Sequence, residues 1–475
     1  MYQVPQHISK DKIFIVNKSD IDGRLDPKMA LYNQSVQHAL YPMVKLQSLL
    51  LSKPQYGANE ASITRDNNEQ PRYIRITDID ENGLISPDEL GATVANLDDK
   101  YILNENDIVI ARSGATVGKA YIHKNLPYTC VYAGYLIRFI VDSKKILPDY
   151  LFAYTQLNTY KEWVNAIQRP SAQPNINAEE YQSLEIPLPN LSKQQEIVGY
   201  INTAYAQKRA KEVEAQQLLD SIDDYLLKEL GITMPNINAE LTDRIFYVNY
   251  SDLSNRLDPY YSLKYFQKSF EAVHSGKYPV VSLKSLSTLI TSGITPKSGG
   301  DAYVDDRLNG IPFIRSGNIN IDGELDFNDL LYIRPDVHKT IMKSSQVRKN
   351  DLMIAIVGAT IGQVGIYVFD NEANINQAIA LVRLKDGINV EYVKELIKSS
   401  IGQLSLNRLK RPVARANINL EEIATIQVVL PPYEIQQKIA NQIQCIRRQA
   451  KALQAEGKAI LDNAKHKVEQ MIIGK

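Results

Sequence analysis

The chain spells one framework twice. The segment FIVNKSDIDGRLDP, from Phe14 to Pro27, returns 232 residues later as FYVNYSDLSNRLDP, from Phe246 to Pro259. YPMVKLQSLL at Tyr41 returns as YPVVSLKSLS at Tyr278, and RYIRITDIDENGLI at Arg72 returns as PFIRSGNINIDGEL at Pro312. NDIVIARSGATVG, ending at Gly118, matches NDLMIAIVGATIG, ending at Gly362. By NINAEEYQSLEIPLPNLSKQQEI at Asn175 and NINLEEIATIQVVLPPYEIQQKI at Asn417 the offset has grown to 242, so loops differ while the framework is kept. A chain of 475 residues is too long for one ordinary core, and the repeat says how it divides.

Each copy has the same order of elements. Short runs rich in Ile, Val and Tyr, such as YIRITDI, DIVIARSG and YLIRFIV, and later IPFIRSG, DLMIAIVG and AIALVRL, predict strands bounded by Asn, Asp and Gly turns. Helical stretches follow the last of these, and the globular part ends near Pro189 in one copy and Pro431 in the other. A long helix comes next. In the second copy Ile439, Ile443, Ile446, Ala450, Leu453, Gly457, Ile460 and Ala464 step by four and three, which is a coiled-coil seam. The first copy holds Ile197, Ile201 and Ala204, meets Lys208 and Lys211 at the seam, and resumes at Ala215, Leu218, Ile222 and Tyr225. Residues 191–230 carry five basic and seven acidic groups against eight and four in 434–475, so the two helices favour each other over self-pairing. An approximate twofold relation between the copies requires them to run antiparallel. The expected fold class is α+β, with tandem mixed α/β domains at 1–190 and 246–431, long helices at 191–231 and 432–475, and a linker at 232–245.

Composition removes several function classes. Basic and acidic residues balance at 54 each, so no global positive field points to nucleic acid. Cys130 and Cys445 are far apart and the six histidines are scattered, which excludes a thiolate zinc site and fits a reducing compartment. The start lacks a basic stretch followed by an apolar run, and a cytoplasmic location is expected.

The glycine turn invites a phosphate-loop reading, which the spacing rejects. GATVGK has three residues between its glycines where the motif needs four, Ala120 follows the lysine where the motif needs Ser or Thr, and the second copy replaces the lysine with Gln363. A turn after a buried strand accounts for Gly114, Gly118, Gly358 and Gly362. LPPYE at Leu430 is similar to an amino-methyltransferase signature, but leucine cannot accept hydrogen bonds from a target amine. It is a proline stop before a helix. With no paired-carboxylate, Ser-His or His-Cys constellation, catalytic residues are not expected.

The tandem halves, the segment TSGITPKSGGDAY to GIPFIRSGNI at Thr291 to Ile319, the paired glycine turns, and NIN…VVLPPYEIQQKI leading into a coiled-coil helix resemble the specificity subunit of type I restriction-modification systems, over essentially the whole chain. That resemblance implies two target-recognition domains, each reading half of a split site in double-stranded DNA, with the helices as antiparallel spacer. It implies two methylation subunits using S-adenosylmethionine, and restriction subunits using ATP and Mg, with no cofactor in this chain. The subunit of a related system with fused cleavage and methylation would look the same. An enzyme using the glycine turn on a nucleotide and a non-DNA coiled-coil scaffold are the rival classes.

Candidate DNA contacts follow. Arg408, Lys410, Arg411 and Arg415 cluster just before the second NIN segment, with Arg169 as their nearest counterpart, and suit phosphate contact. The loop of Gly293, Thr295 and Lys297 and its counterpart from Tyr56 to Arg65 suit base readout, and Arg72 is a further candidate for DNA contact. Arg75 and Arg315 occupy matching places after a strand, and Arg112 and Lys119 flank the glycine turn, where a surface salt bridge accounts for each as well as DNA contact does. LPPYEIQQKI and LPNLSKQQEI, joining domain to helix, suit partner docking.

Overall fold

The computed structural model describes residues 15, 26–86, 90–168, 174–235, 247, 259–297, 300–305, 307–410 and 417–474. The repeats at Phe14 to Pro27 and Phe246 to Pro259 lie almost wholly outside them. Two compact units form. The first comprises Met1–Glu212 with Gln454–Lys475, and the second Val213–Leu453. Each unit therefore holds one globular domain and a section of both long helices, a division the linear domain list does not contain.

In the first unit a four-stranded antiparallel sheet runs in the order Gln55–Tyr56, Leu136–Phe139, Ile108–Ala111, Ala120–Ile122. Its central strand is buried throughout because both faces are covered. Ile108 and Ile110 point into a core shared with the helices, and Val109 and Ala111 into a second core, with the two-residue period of a strand. The second core lies against another sheet, ordered Ser62–Thr64, Ala92–Val94, Arg72–Ile74, Cys130–Tyr132, whose last pair is parallel. The second unit repeats the plan. Its sheet Ser287–Ser292, Ile379–Leu384, Leu352–Ala355, Val364–Ile366 faces two cores by the same alternation, with Leu352 and Ile354 in one and Met353 in the other. The other sheet has five strands among the described residues, with Ile311–Ile314 parallel to Ala373–Ile375.

The repeated Asn-Asp before each central strand has a physical cause. Asn106 and Asn350 take left-handed backbone, φ 71° and 68°, which asparagine tolerates better than most side chains. The aspartates that follow turn inward. Asp107 accepts from the Asn104 amide at 2.9 Å and Asp351 from the Arg348 amide at 2.7 Å, closing the turn. Each also meets an arginine from the neighbouring strand, Asp107 to Arg138 at 3.5 Å and Asp351 to Arg383 at 2.6 Å.

The long helices span Leu191–Leu230 and Tyr433–Ile472 and pack as an antiparallel pair. In the second unit Lys438, near the start of one, meets Glu229, near the end of the other, at 3.0 Å, and Leu226 and Leu230 share a core with Ile439 and Ile443. In the first unit Ile197, Ile201 and Ala204 share a core with Leu461, Ala464 and Val468. The expected seam needs two adjustments, since Leu226 is fully buried where Tyr225 is half-buried, and Leu461 is buried beyond Ile460. The lysine pair at the seam is accommodated by Gly457, where an added Cβ would lie 3.3 Å from the Lys208 carbonyl oxygen and from Lys211 Cβ. Lys208 then pairs with Glu212 at 2.6 Å and Lys211 with Glu456 at 3.1 Å. Among the described residues no helix is long and apolar enough to cross a membrane.

Candidate nucleic-acid interface

Several amides of the glycine turn are taken up by neighbouring backbone. Val117 N–H donates to Gly114 O, Gly118 N–H to Ala111 O, and Gly114 N–H to Pro174 O. In the second unit Ile361, Gly362 and Gln363 donate to Gly358, Ala355 and Thr360. The φ values of Gly114 and Gly118, 77° and 88°, recur at Gly358 and Gly362 as 75° and 92°. The Lys119 ammonium donates to Ile79 O at 2.8 Å, tying the turn to the segment that follows the Arg72–Ile74 strand of the second sheet.

What the turn builds is a junction. Ser113 bridges Asn175 and Val357 bridges Asn417, while Ile176 N–H donates to Arg112 O and Ile418 N–H to Ile356 O. Asn177 and Asn419 then cap the next short helix, each side chain accepting from the amide three residues on while Glu180 and Glu422 return the bond. The twice-written NIN is thus one bridge residue, one buried isoleucine and one cap.

The start of the variable loop crosses the end of a strand of the other sheet at a glycine. An added Cβ at Gly57 would stand 2.3 Å from Ala133 O, and at Gly293 1.9 Å from Ile375 O, so loop and strand backbones cross where no side chain fits. Gly293 therefore serves backbone approach. In the first unit Tyr56 lies under the Arg112 guanidinium, 4.7 Å from its ring centroid, and its hydroxyl accepts from the Ala178 amide at 3.1 Å. Arg112 Nε reaches Asn175 Oδ1 at 3.4 Å. Tyr135, 62% exposed, accepts from the Arg112 amide through its carbonyl and adds an aromatic ring the sequence reading did not select. The second unit places Thr295 beside Gln377, whose amide donates to Thr295 Oγ1 at 3.4 Å, and leaves Lys297 exposed.

Other candidates act within the domains. Arg65 and Arg72 are 1% and 0% exposed. Arg65 donates to Gln70 O and Leu90 O and covers the Tyr128 ring, and Arg72 donates to Ser86 O and Tyr128 Oη. Both side chains are buried, so neither is placed to meet a base, Arg72 because it lies on a strand buried along its length and Arg65 because it turns inward after an exposed one. Arg75 grips Asp78 at 2.9 Å, which raises its pKa, and Arg315 grips Asp329 at 2.7 Å. Arg408 stacks on Tyr261 at 4.0 Å and donates to its carbonyl, and Lys410, whose pKa burial lowers, donates to Asn407 Oδ1 at 2.9 Å. Arg169, Arg411 and Arg415 lie outside the described residues.

The domain-to-helix segments do internal work as well. Gln194, fully buried, accepts from the Leu147 amide at 2.8 Å and donates to Pro189 O at 2.9 Å and Lys145 O at 3.1 Å. Gln436 accepts from the Asn389 amide at 3.0 Å and donates to Pro431 O at 2.9 Å. The first glutamine of each Gln-Gln pair thus fastens helix to domain.

A family model described as the type I restriction modification DNA specificity domain matches residues 57–219 and 262–459. The chain is 27% identical over 301 residues to the type I restriction enzyme EcoBI specificity subunit of Escherichia coli, covering 62% of this chain and 58% of that protein. It thus spans less than two thirds of that relative. It is 21% identical to the EcoKI specificity subunit of Escherichia coli strain K12, over 78% of this chain and 74% of that one. Among solved structures, the HsdS subunit from Thermoanaerobacter tengcongensis is similar at 15% identity and TM-score 0.36, covering 91% and 97% of the two chains.

Proposed function

The chain belongs to the type I restriction modification DNA specificity domain family, as a specificity subunit, and from that premise we propose that its two domains each read one half of a bipartite DNA site while the paired helices set the spacing. The observation that carries the proposal is the repeated junction. Each unit joins the glycine turn to the NIN segment on a frame common to both, the variable-loop residue Tyr56 reaches that junction in the first unit, and loops on a fixed frame are where sequence readout varies. In the first half Tyr56, Arg112 and Tyr135 offer stacking and phosphate contact, and in the second Thr295 and Lys297 offer shorter polar groups. Different surfaces on one frame suit different half-sites.

A helix of 40 residues rises roughly 60 Å at about 1.5 Å per residue. Domains reading one face of a duplex favour half-site centres about 10 base pairs apart. In this proposal the chain does no chemistry. Methylation subunits supply S-adenosylmethionine chemistry to adenine, restriction subunits supply ATP-dependent cleavage, and the neutral charge of this chain leaves many phosphate contacts to those partners.

Single-molecule methylation mapping tests this in cells carrying the chain with its neighbouring methylation subunit and in cells lacking the chain. A split adenine-methylated motif that depends on the chain, with one half changing when residues 1–190 are exchanged, is the expected result. An active methylation subunit with no chain-dependent motif would refute recognition and favour a scaffold.

A further inference from the structure

We propose that Glu469 and Asp223 are positioning residues for DNA recognition: each long helix supplies a carboxylate that fixes the recognition domain of the other repeat and so sets the angle at which that domain meets DNA. The proposal rests on the recognition reading above and adds the residues that orient it.

The starting point is a pair of helix ends. The helices Asn158–Ile167 and Ser400–Leu409 occupy equivalent places, and neither receives a side-chain cap from its own N-cap residue. Leu157 cannot supply one, and the Ser399 hydroxyl donates instead to Leu396 O at 2.7 Å. First-turn amides without an intrahelical partner need an acceptor, and the positive end of the helix dipole favours an anionic one. In the first unit the acceptor is Glu469 of the second long helix. Its Oε1 takes the Thr159 amide at 2.6 Å and the Thr159 hydroxyl at 2.9 Å, all within buried surroundings. In the second unit the acceptor is Asp223 of the first long helix, whose Oδ1 takes the Ser400 amide at 2.8 Å.

The two carboxylates are not sequence equivalents. At the offset of 242 that relates Gln194 to Gln436, Glu469 would match Leu227, and Asp223 would match Lys465. The same contact is made from positions one helical turn apart, with a longer side chain in one unit and a shorter one in the other. Two separate solutions to one geometric need indicate that the contact itself is what matters.

These short helices also touch the junction. Tyr160 donates to Gly118 O at 2.9 Å, and an added Cβ at Gly118 would stand 2.8 Å from Val164. In the second unit Gln403 donates to Gly362 O at 3.1 Å. A continuous path therefore runs from long-helix carboxylate to short helix to glycine turn, and loosening its first step lets the recognition surface pivot on the spacer.

The test uses the full chain with its methylation subunit and a DNA library holding the wild-type half-sites at the wild-type separation and one base pair either side. Asp223→Ala, which loses one charge-assisted hydrogen bond, is expected to lower the ratio of methylation at the correct spacing to that at the shifted spacings about tenfold, and Glu469→Ala, which loses two, at least as much. The bases read in each half stay the same. Glu469→Gln and Asp223→Asn keep an acceptor oxygen and are expected to restore most of the ratio. Thr159→Val, which removes only the hydroxyl contact, falls between and serves should an alanine variant fail to fold. An unchanged ratio in the alanine variants, an equal fall at every spacing, or amide variants as impaired as alanine would overturn the proposal alone. A wild-type chain with no bipartite motif would remove the recognition reading and this proposal together.

Discussion

Removing the Gln194 side chain should loosen the first domain from its long helix by an amount the structure allows to be worked out. Gln194→Ala leaves the Leu147 amide and the Pro189 and Lys145 carbonyls without their partner, all three in buried or partly buried surroundings. An unmet buried polar group costs about 1–3 kcal/mol, so a loss of about 2–4 kcal/mol is expected, or roughly 6–12 °C in Tm for a unit of this size. The chain provides its own probe. Trp163 is the single tryptophan, it is 3% exposed, and it lies in the core to which Ile197 and Ile201 of the same helix belong. Its fluorescence in a urea titration follows the first unit, avoiding the assumption that the whole chain unfolds in one step. Gln436→Ala breaks two bonds in the second unit and should move the tryptophan transition much less than it moves the overall loss of helix by circular dichroism. Gln194→Glu adds a sign test, because one of its oxygens would face two carbonyl oxygens. Only the protonated acid can donate there, so folding raises its pKa, and the stability deficit against wild type should be small below about pH 4 and grow as pH rises. A tryptophan midpoint shift worth less than about 0.5 kcal/mol for Gln194→Ala would refute the clamp.

Other outcomes follow from single positions. Gly293→Ala drives a Cβ against Ile375 O and should cost about 3 kcal/mol or more by chemical denaturation, whereas Gly114→Ala, with open space but a φ of 77°, should cost about 1 kcal/mol. Asp351→Ala strands Arg383 and should destabilise the second unit by about 3 kcal/mol, while Asp107→Ala costs less, because Arg138 also donates to Ile102 O at 2.8 Å. Burial lowers the His123 pKa to about 4, so the unfolded chain binds the extra proton between about pH 6.5 and 4 and stability should fall across that window as pH falls. His123→Phe, which cannot take up that proton, should flatten this part of the pH profile. Arg112→Ala should weaken DNA binding by the assembled complex and reduce its salt slope by about one.

Much of the fold was legible because local chemistry and repetition say the same thing. Helix limits follow from the prolines at 189 and 431, and strands from short apolar runs between Asn, Asp and Gly turns. The candidate surface was less legible. An arginine beside a loop looks the same in sequence whether it stays half-buried over an aromatic ring, like Arg112, or is buried within the domain, like Arg65 and Arg72, since burial depends on what folds over it. The segments joining domain to helix carried a readable sign in their repeated first glutamines, Gln194 and Gln436, each of which makes a satisfied internal contact.

The sequence by itself determined that there are two copies, that each alternates strands around buried turns, and that two long helices pair, because periodicity and turn residues act over a few neighbours. Tertiary structure alone decided that each compact unit takes a section of both helices, and that Glu469 serves Thr159 while Asp223 serves Ser400. Those partners stand 310 and 177 residues apart at positions the repeat does not match, and only the antiparallel packing brings an unmet helix end and a carboxylate within hydrogen-bonding distance.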